Sequence, residues 1–491
     1  MTPIGVLVTI LSYFLLLFII SYWTGRKADN AGFFVGNRKS PWYVVAFAMI
    51  GANISGVTYV SVPGMVGNSC FSYLQMVMGF VVGQLVIAFV LTPLFYRMNL
   101  ISIYGYLEKR FGIFTYKTGA CFFFISKMLG AAVRLFLVCA VLQLLVFTPL
   151  NLPFALNVLF TLLMVWLYTF QGGVKTLIWT DSLKTFCLVA SVVLCIYVIA
   201  SDMHLGVGGL LSMIDESPLS QVFFWDDVND KRFFWKQFLA GMFTMIATSG
   251  LDQDMMQRNL SCKNFRDAQK NMIVSISMLV IVITLFLMLG VLLFSYAEAF
   301  HIELPQQSDN LFPMLATGGY FPVVVGIIFI IGLVSSAYSA AGSALTALAT
   351  SFTVDILQMP TCRSEAEVAC IRKRVHLGMS LFMGLVVIVI YWLNNTTVLD
   401  AVYTLVSYTY GPILGLFAFG IFMRRPVHDR YVPFVALLSP MLCLVLQLNS
   451  ESWFNGYSFS YELLIFNALF TLIGCCLLMC KETNHPKRKN E

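Results

Sequence analysis

Apolar runs long enough to cross a bilayer recur from one end of the chain to the other. A span needs about 20 mostly apolar residues. Candidate spans fall at 4–23, 42–66, 72–96, 116–147, 152–170, 177–200, 234–256, 271–297, 321–354, 374–393, 398–423, 431–448 and 458–480. Backbone groups in hydrocarbon have to pair within the protein, so a spanning segment is either a helix or a strand of a closed barrel. Barrel strands alternate apolar and polar over roughly ten residues. No such alternation runs through these segments, which leaves helices. The fold class expected is all-α integral membrane, with about 13 transmembrane helices. Composition agrees: 59% of the residues are hydrophobic and 11% are charged, against about a quarter charged in soluble domains. The longest polar connections, roughly 201–233 and 298–320, are too short for an added soluble domain, so residues 1–491 form one transmembrane domain. The first apolar run lacks a basic leader and a cleavage site and reads as a retained helix rather than a signal peptide.

The charges orient this chain. Its net charge is +6, yet no clustered basic surface of the kind nucleic acid requires is present. Lys and Arg fall in alternate loops: Arg26, Lys27, Arg38 and Lys39; Arg97, Lys109, Arg110 and Lys117; Lys175; Arg258, Lys263, Arg266 and Lys270; Arg363, Arg372, Lys373 and Arg374; Arg424, Arg425 and Arg430; Lys481, Lys487, Arg488 and Lys489. The loops between them carry mainly acids, among them Asp202, Asp215, Glu216, Asp226, Asp227, Glu298, Glu303 and Asp309. The excess of basic residues on cytoplasmic loops then puts the N-terminus outside and the C-terminus in the cytoplasm, which an odd helix count satisfies. The 12 cysteines, such as Cys139, Cys187, Cys195 and Cys475, sit mostly inside apolar runs without CxxC spacing, and are expected to be reduced and buried.

An ionisable group at bilayer depth costs several kcal/mol and marks function by default. Asp181 follows Gln171-Gly172-Gly173 near the start of a span; Arg134 lies mid-span in 116–147, with Lys127 two turns earlier on the same face. Asp252 and Asp254 follow Gly250 near the inner end of 234–256. Each also has a plainer reading: Asp181 as an interfacial helix cap, Arg134 as internal glue to a carbonyl or to Asp181, Asp252 and Asp254 as interfacial, structural acids.

Two segments suit an ion site. Span 42–66 carries Gly51, Asn53, Ser55 and Gly56 at its centre. Glycine loosens a helix, and Asn and Ser compete for backbone partners, so this segment is expected to unwind. Bare carbonyls at membrane depth survive only where they line a cavity or are buried in protein, and broken helices of this kind form ion and substrate sites in transporters. Span 321–354 carries a hydroxyl stripe, Ser335, Ser336, Ser339, Ser343 and Thr346, in which Ser336, Ser339 and Ser343 share a face. Oxygen donors suit hard cations. Close packing through small residues is the alternative for both segments.

With these segments in view, the chain resembles the sodium/solute symporter family over roughly residues 5–480. Four stretches carry the resemblance: Gly51-Ala52-Asn53-Ile54-Ser55; Gly172-Gly173-Val174-Lys175-Thr176-Leu177-Ile178-Trp179-Thr180-Asp181; Gln253-Asp254-Met255-Met256-Gln257-Arg258 with Asp267-Ala268-Gln269-Lys270; and Gly411-Pro412-Ile413-Leu414-Gly415-Leu416-Phe417. The resemblance implies a LeuT-type architecture, with an extra N-terminal helix at 4–23, inverted five-helix repeats at 42–200 and 234–423, and two C-terminal helices at 431–480. It implies Na+ as the coupling ion, bound by the carbonyls of Gly51 and Ile54 and the hydroxyls of Ser336 and Ser339. Asp181 matches an acid that binds or relays cations as an accessory site. Asn53 and Thr58 match substrate-contacting positions. One departure stands out: the family carries two adjacent hydroxyl residues where this chain has Ser339 and Ala340, so one oxygen is missing.

The function expected is sodium-coupled symport of a small polar organic solute into the cytoplasm across the cell (inner) membrane, by alternating access. The solute would lie against Asn53, Ser55, Thr58 and Arg134. A buried guanidinium offers a bidentate fork for a carboxylate, which points to an anionic sugar such as sialic acid; neutral sugars also suit Asn, Ser and Thr. The partners are then the solute, the sodium ion and the lipid bilayer. The alternatives are a sodium-independent or proton-coupled carrier, or a membrane-embedded solute sensor, although the tail after Lys481 is too short for a signalling domain. A channel fits a broken helix with a hydroxyl stripe less well than a carrier does. An enzyme is not expected: the five His are scattered and no nucleophile–base or metal constellation is present.

Overall fold

The computed structural model describes residues 3–25, 38–100, 102–169, 173–357, 364–393, 398–423, 425–454, 457, 459 and 461–479. Arg26, Lys27, Gly172, Arg363, Arg424 and the tail from Lys481 lie outside the described residues. Helices occupy every expected span: α1 Pro3–Gly25, α2 Trp42–Asn53, α3 Gly56–Ser69, α4 Tyr73–Val86, α5 Ile113–Leu142, α6 Phe154–Thr169, α7 Gly173–Asp202, α8 Phe234–Met245, α9 Gln253–Asn259, α10 Phe265–Ala299, α11 Val323–Ser351, α12 Glu365–Leu393, α13 Val398–Phe422, α14 Val432–Leu448 and α15 Leu463–Leu477. Wide π turns extend α4 through Ile87–Leu91, α5 through Gln143–Phe147, α8 through Ile246–Gly250 and α11 through Phe352–Ile356.

Among the described residues, nine helices are long and apolar enough to cross a membrane, and ten if the bent pair α2 and α3 counts as one span. The remaining expected spans hold shorter elements, namely α6, α15, and α8 with its π turn. Several helices start earlier than the apolar run alone predicts. α10 begins at Phe265 rather than 271 and α12 at Glu365 rather than 374. Their first turns carry Arg266, Asp267 and Lys270, or Arg372, Lys373 and Arg374, so hydropathy registers only the part of each helix beyond its charged end.

α2 and α3 meet at 59°. Ile54 leaves the helix at φ −88°, ψ 106°. Ser55 then starts α3 as its N-cap, accepting from the Thr58 amide at 3.2 Å. The loosening expected from Gly51, Asn53, Ser55 and Gly56 is therefore present, and a hydroxyl cap restarts the chain. A second break separates α8 from α9. After the π turn, Asp252 leaves helical geometry and accepts the amides of Asp254 at 2.8 Å and Met255 at 3.2 Å.

α4 and α8 form the most extensive helix contact. A Cβ placed on Gly79 would collide with the Phe238 carbonyl, and one on Gly241 with the Met76 carbonyl, so the two backbones touch through these glycines. α7 and α11 pack side by side, with α1 against both, while α14 and α15 pack on α13. Ser21 of α1 donates to the Tyr168 carbonyl at 2.6 Å. The two breaks thus sit inside a packed bundle.

Candidate functional site at the two helix breaks

A cavity of about 1100 Å³, counted to its open mouth, lies between the breaks. Asn53, Ser55 and Thr58 from the first break and Arg134 from α5 all line it, so the four residues expected to contact substrate meet at one place. The Ser55 and Thr58 hydroxyls are 3.1 Å apart, and Ser249 donates to Asn53 Oδ1 at 3.4 Å, tying the two breaks together. Arg134 is half-buried and its Nε has no hydrogen-bond partner. It makes no ion pair with Asp181, whose cationic partner is Arg258.

Asp252 and Asp254 are not interfacial. Both are buried, at 2% and 4% exposure, and Lys127, itself 7% exposed, bridges them. Its ammonium lies 3.1 Å from Asp252 Oδ2 and 2.7 Å from Asp254 Oδ2. Tyr410 of α13 donates to Asp252, and both Lys127 and Asp252 line the cavity. The reason these acids sit deep is the second break, which turns Asp252 inward as the cap of α9. The connection before α5 is tied to the same break: the Ile103 amide donates to Gln253 Oε1 and the Tyr104 hydroxyl to the Leu251 carbonyl, each at 2.9 Å.

Arg258, counted by sequence among the loop charges, is 1% exposed. Its Nη2 is 3.1 Å from Asp181 Oδ2 and 3.3 Å from Asp254 Oδ1, and forms an aligned hydrogen bond with neither. Lys184, one turn after Asp181, is equally buried and was not singled out by sequence. The signal for both was available in principle, as a cation inside an apolar run and a cation three residues past Met255. Unpaired burial of a charge costs several kcal/mol, and here Asp181, Asp252 and Asp254 are each within ion-pair distance of Lys127 or Arg258.

The residues expected to hold a cation lie against this cluster. Ser339 of α11 donates to Asp181 Oδ1. The Ser336 hydroxyl is buried without a partner, and faces the first break, 3.6 Å from the point a Cβ on Gly56 would occupy. No backbone amide among the described residues closes on the Gly51 or Ile54 carbonyls. A Cβ on Gly51 would come within 2.8 Å of the Asp181 carbonyl oxygen, so α2 approaches α7 at backbone distance. Carbonyls that accept no backbone amide and an orphaned hydroxyl facing the same break are oxygen donors of the kind that suits a hard cation. The neighbouring Ser335 hydroxyl is not orphaned: it donates to the Gly332 carbonyl at 2.9 Å.

Comparisons with known proteins identify the family and the fold. Residues 33–429 match the model of the sodium:solute symporter family. The chain is 25% identical over 423 residues to the sodium/sialic acid symporter NanT of Aliivibrio fischeri, covering 82% of this chain and 80% of that protein. It is 28% identical to mouse sodium-coupled monocarboxylate transporter 1 over 410 residues, covering 81% of this chain and 65% of that protein. Its fold matches a substrate-bound, outward-open Na+-coupled sialic acid symporter with a TM-score of 0.81, at 18% identity, over 96% of this chain and 97% of the other. A multi-pass membrane protein with this fold and a family match over most of its length belongs to the sodium:solute symporter family.

Proposed function

We infer that this symporter carries a small organic anion, a sugar acid such as sialic acid, into the cytoplasm together with sodium. The observation that carries the reading is Arg134: a guanidinium in the cavity wall with no carboxylate among the described residues paired to it, beside Asn53, Ser55 and Thr58. Two of the relatives are named for carboxylate solutes, sialic acid and monocarboxylates. Sodium is assigned to the Gly51 and Ile54 carbonyls with Ser336 and Ser339, the assignment supported by the orphaned Ser336 hydroxyl. Asp181 then acts as the accessory acid behind Ser339.

Residues 42–200 and 234–423 are read as two repeats, because each opens on a broken helix. The loop charges support an outside N-terminus, a cytoplasmic C-terminus and an inner-membrane location. In that orientation the cavity reaches outward to Tyr73 and is closed below by Lys127, Asp252 and Asp254, which is an outward-facing arrangement. Sodium favours it by binding that state more tightly. Each inward-moving cation gains about 2.3 kcal/mol per 100 mV of membrane potential.

The test is uptake of radiolabelled sialic acid, lactate and a neutral sugar into proteoliposomes, with sodium or choline outside. Sodium-dependent uptake of an acid is expected. Equal uptake in both buffers would favour the sodium-independent carrier, in line with the oxygen missing at Ala340; uptake of the neutral sugar alone would remove the anionic assignment.

A further inference from the structure

An unbroken series of polar contacts joins the assigned sodium position to the cavity floor. It runs from Ser339 to Asp181, to Arg258, to Asp254, to Lys127, to Asp252 and Tyr410. These groups come from α11, α7, α9, α5 and α13, so no single helix carries the connection. The end at Asp252 lines the cavity and the end at Ser339 lies outside it.

The middle of the series is a cation held between two carboxylates. The Arg258 guanidinium stands 3.1 Å from one carboxylate and 3.3 Å from the other, aligned with neither. It can close on Asp181, which belongs to the α7 side, or on Asp254, which belongs to the floor. A positive ion arriving beside Ser339 draws on the same negative charge at Asp181 that holds Arg258. The guanidinium then shifts its weight toward Asp254, and the floor tightens. Coupling of two sites needs such an element, one whose equilibrium both sites bias.

We propose that Arg258 is the positioning residue through which sodium binding closes the floor of the solute cavity. This rests on the sodium position assigned above. Lysine at 258 would keep the charge but present a compact ammonium that cannot span both carboxylates.

Hydrogen exchange of the purified full-length protein, in sodium and in choline buffer, tests this without a solute. In the wild type sodium is expected to slow exchange about fivefold or more at residues 50–56 and at residues 253–259, with the same half-saturating concentration. Arg258→Lys is expected to keep the effect at 50–56 and lose it at 253–259. Asp254→Asn, which removes the other contact, gives the same pattern and serves if the lysine variant does not fold. Retained sodium protection at 253–259 in either folded variant overturns the proposal, as do different half-points for the two segments in the wild type, a comparison that needs no variant. Absence of any sodium effect at 50–56 in the wild type instead removes the sodium assignment itself, and this proposal with it.

Discussion

The Ser336 hydroxyl faces Gly56, buried and without a hydrogen-bond partner, at the point where the first broken helix restarts. A polar group left unsatisfied in a protein interior costs about 1–3 kcal/mol, so Ser336→Ala is expected to leave stability in sodium-free buffer unchanged or slightly raised. If the hydroxyl serves a cation, the same change weakens sodium binding about tenfold, close to the loss of one hydrogen bond to a charged group. Thermal unfolding with and without sodium reads both effects. An undiminished sodium-induced rise in Tm would exclude Ser336 from the site.

Lys127 holds two buried acids, Asp252 and Asp254. Lys127→Met leaves both without that cation and is expected to destabilise the protein by about 3–5 kcal/mol, the range for breaking a buried ion pair. Adding Asp252→Asn should restore part of the loss, since one stranded charge is then removed. Chemical unfolding followed by tryptophan fluorescence measures both; additive losses would show that the two side chains do not act together.

Arg134 makes no ion pair among the described residues, so its replacement strands no partner. Arg134→Gln and Arg134→Lys are expected to unfold like the wild type while binding an acidic solute about 10- to 100-fold more weakly, the loss of one or two charged hydrogen bonds. Titration calorimetry with the solute identified by uptake decides it. Unchanged affinity would mean that the anion lies elsewhere.

Gly79 and Gly241 allow α4 and α8 to touch backbone to backbone. An alanine at either position overfills the contact and is expected to cost about 1–3 kcal/mol, with the double variant costing less than the sum because the first separation makes room for the second. Comparing the three variants by thermal unfolding checks this.

The helical spans were legible because lipid leaves the backbone few options, and the first break was legible because Gly51, Asn53, Ser55 and Gly56 each weaken a helix for a separate reason. The convergence of Asn53, Ser55, Thr58 and Arg134 on one cavity followed from the fold that the motifs implied. The second break was harder to read: Gly250 is a weak signal, and Asp252 as a helix cap resembles any acid near an interface. Of the charge cluster, Asp181, Lys127, Asp252 and Asp254 stood out as charges inside apolar runs, but their pairing did not, and neither Arg258 nor Lys184 did. One cation such as Lys184 scarcely lowers the hydropathy of an apolar run, and Arg258 resembles its loop neighbours Lys263 and Arg266. Pairings such as Lys127 with Asp252, 125 positions apart, appear only when the chain is folded.

The closeness of α4 and α8 has a further consequence. Two rods meshed at their main chains cannot roll past each other without first separating, so they tilt as a single plank. Any rocking that alternately exposes the cavity to the two sides of the membrane must then bend elsewhere, at the joints after Asn53 and after Gly250, where the helical ladders end on the bonds from the Ile54 amide to the Ile50 carbonyl and from the Leu251 amide to the Ile246 carbonyl.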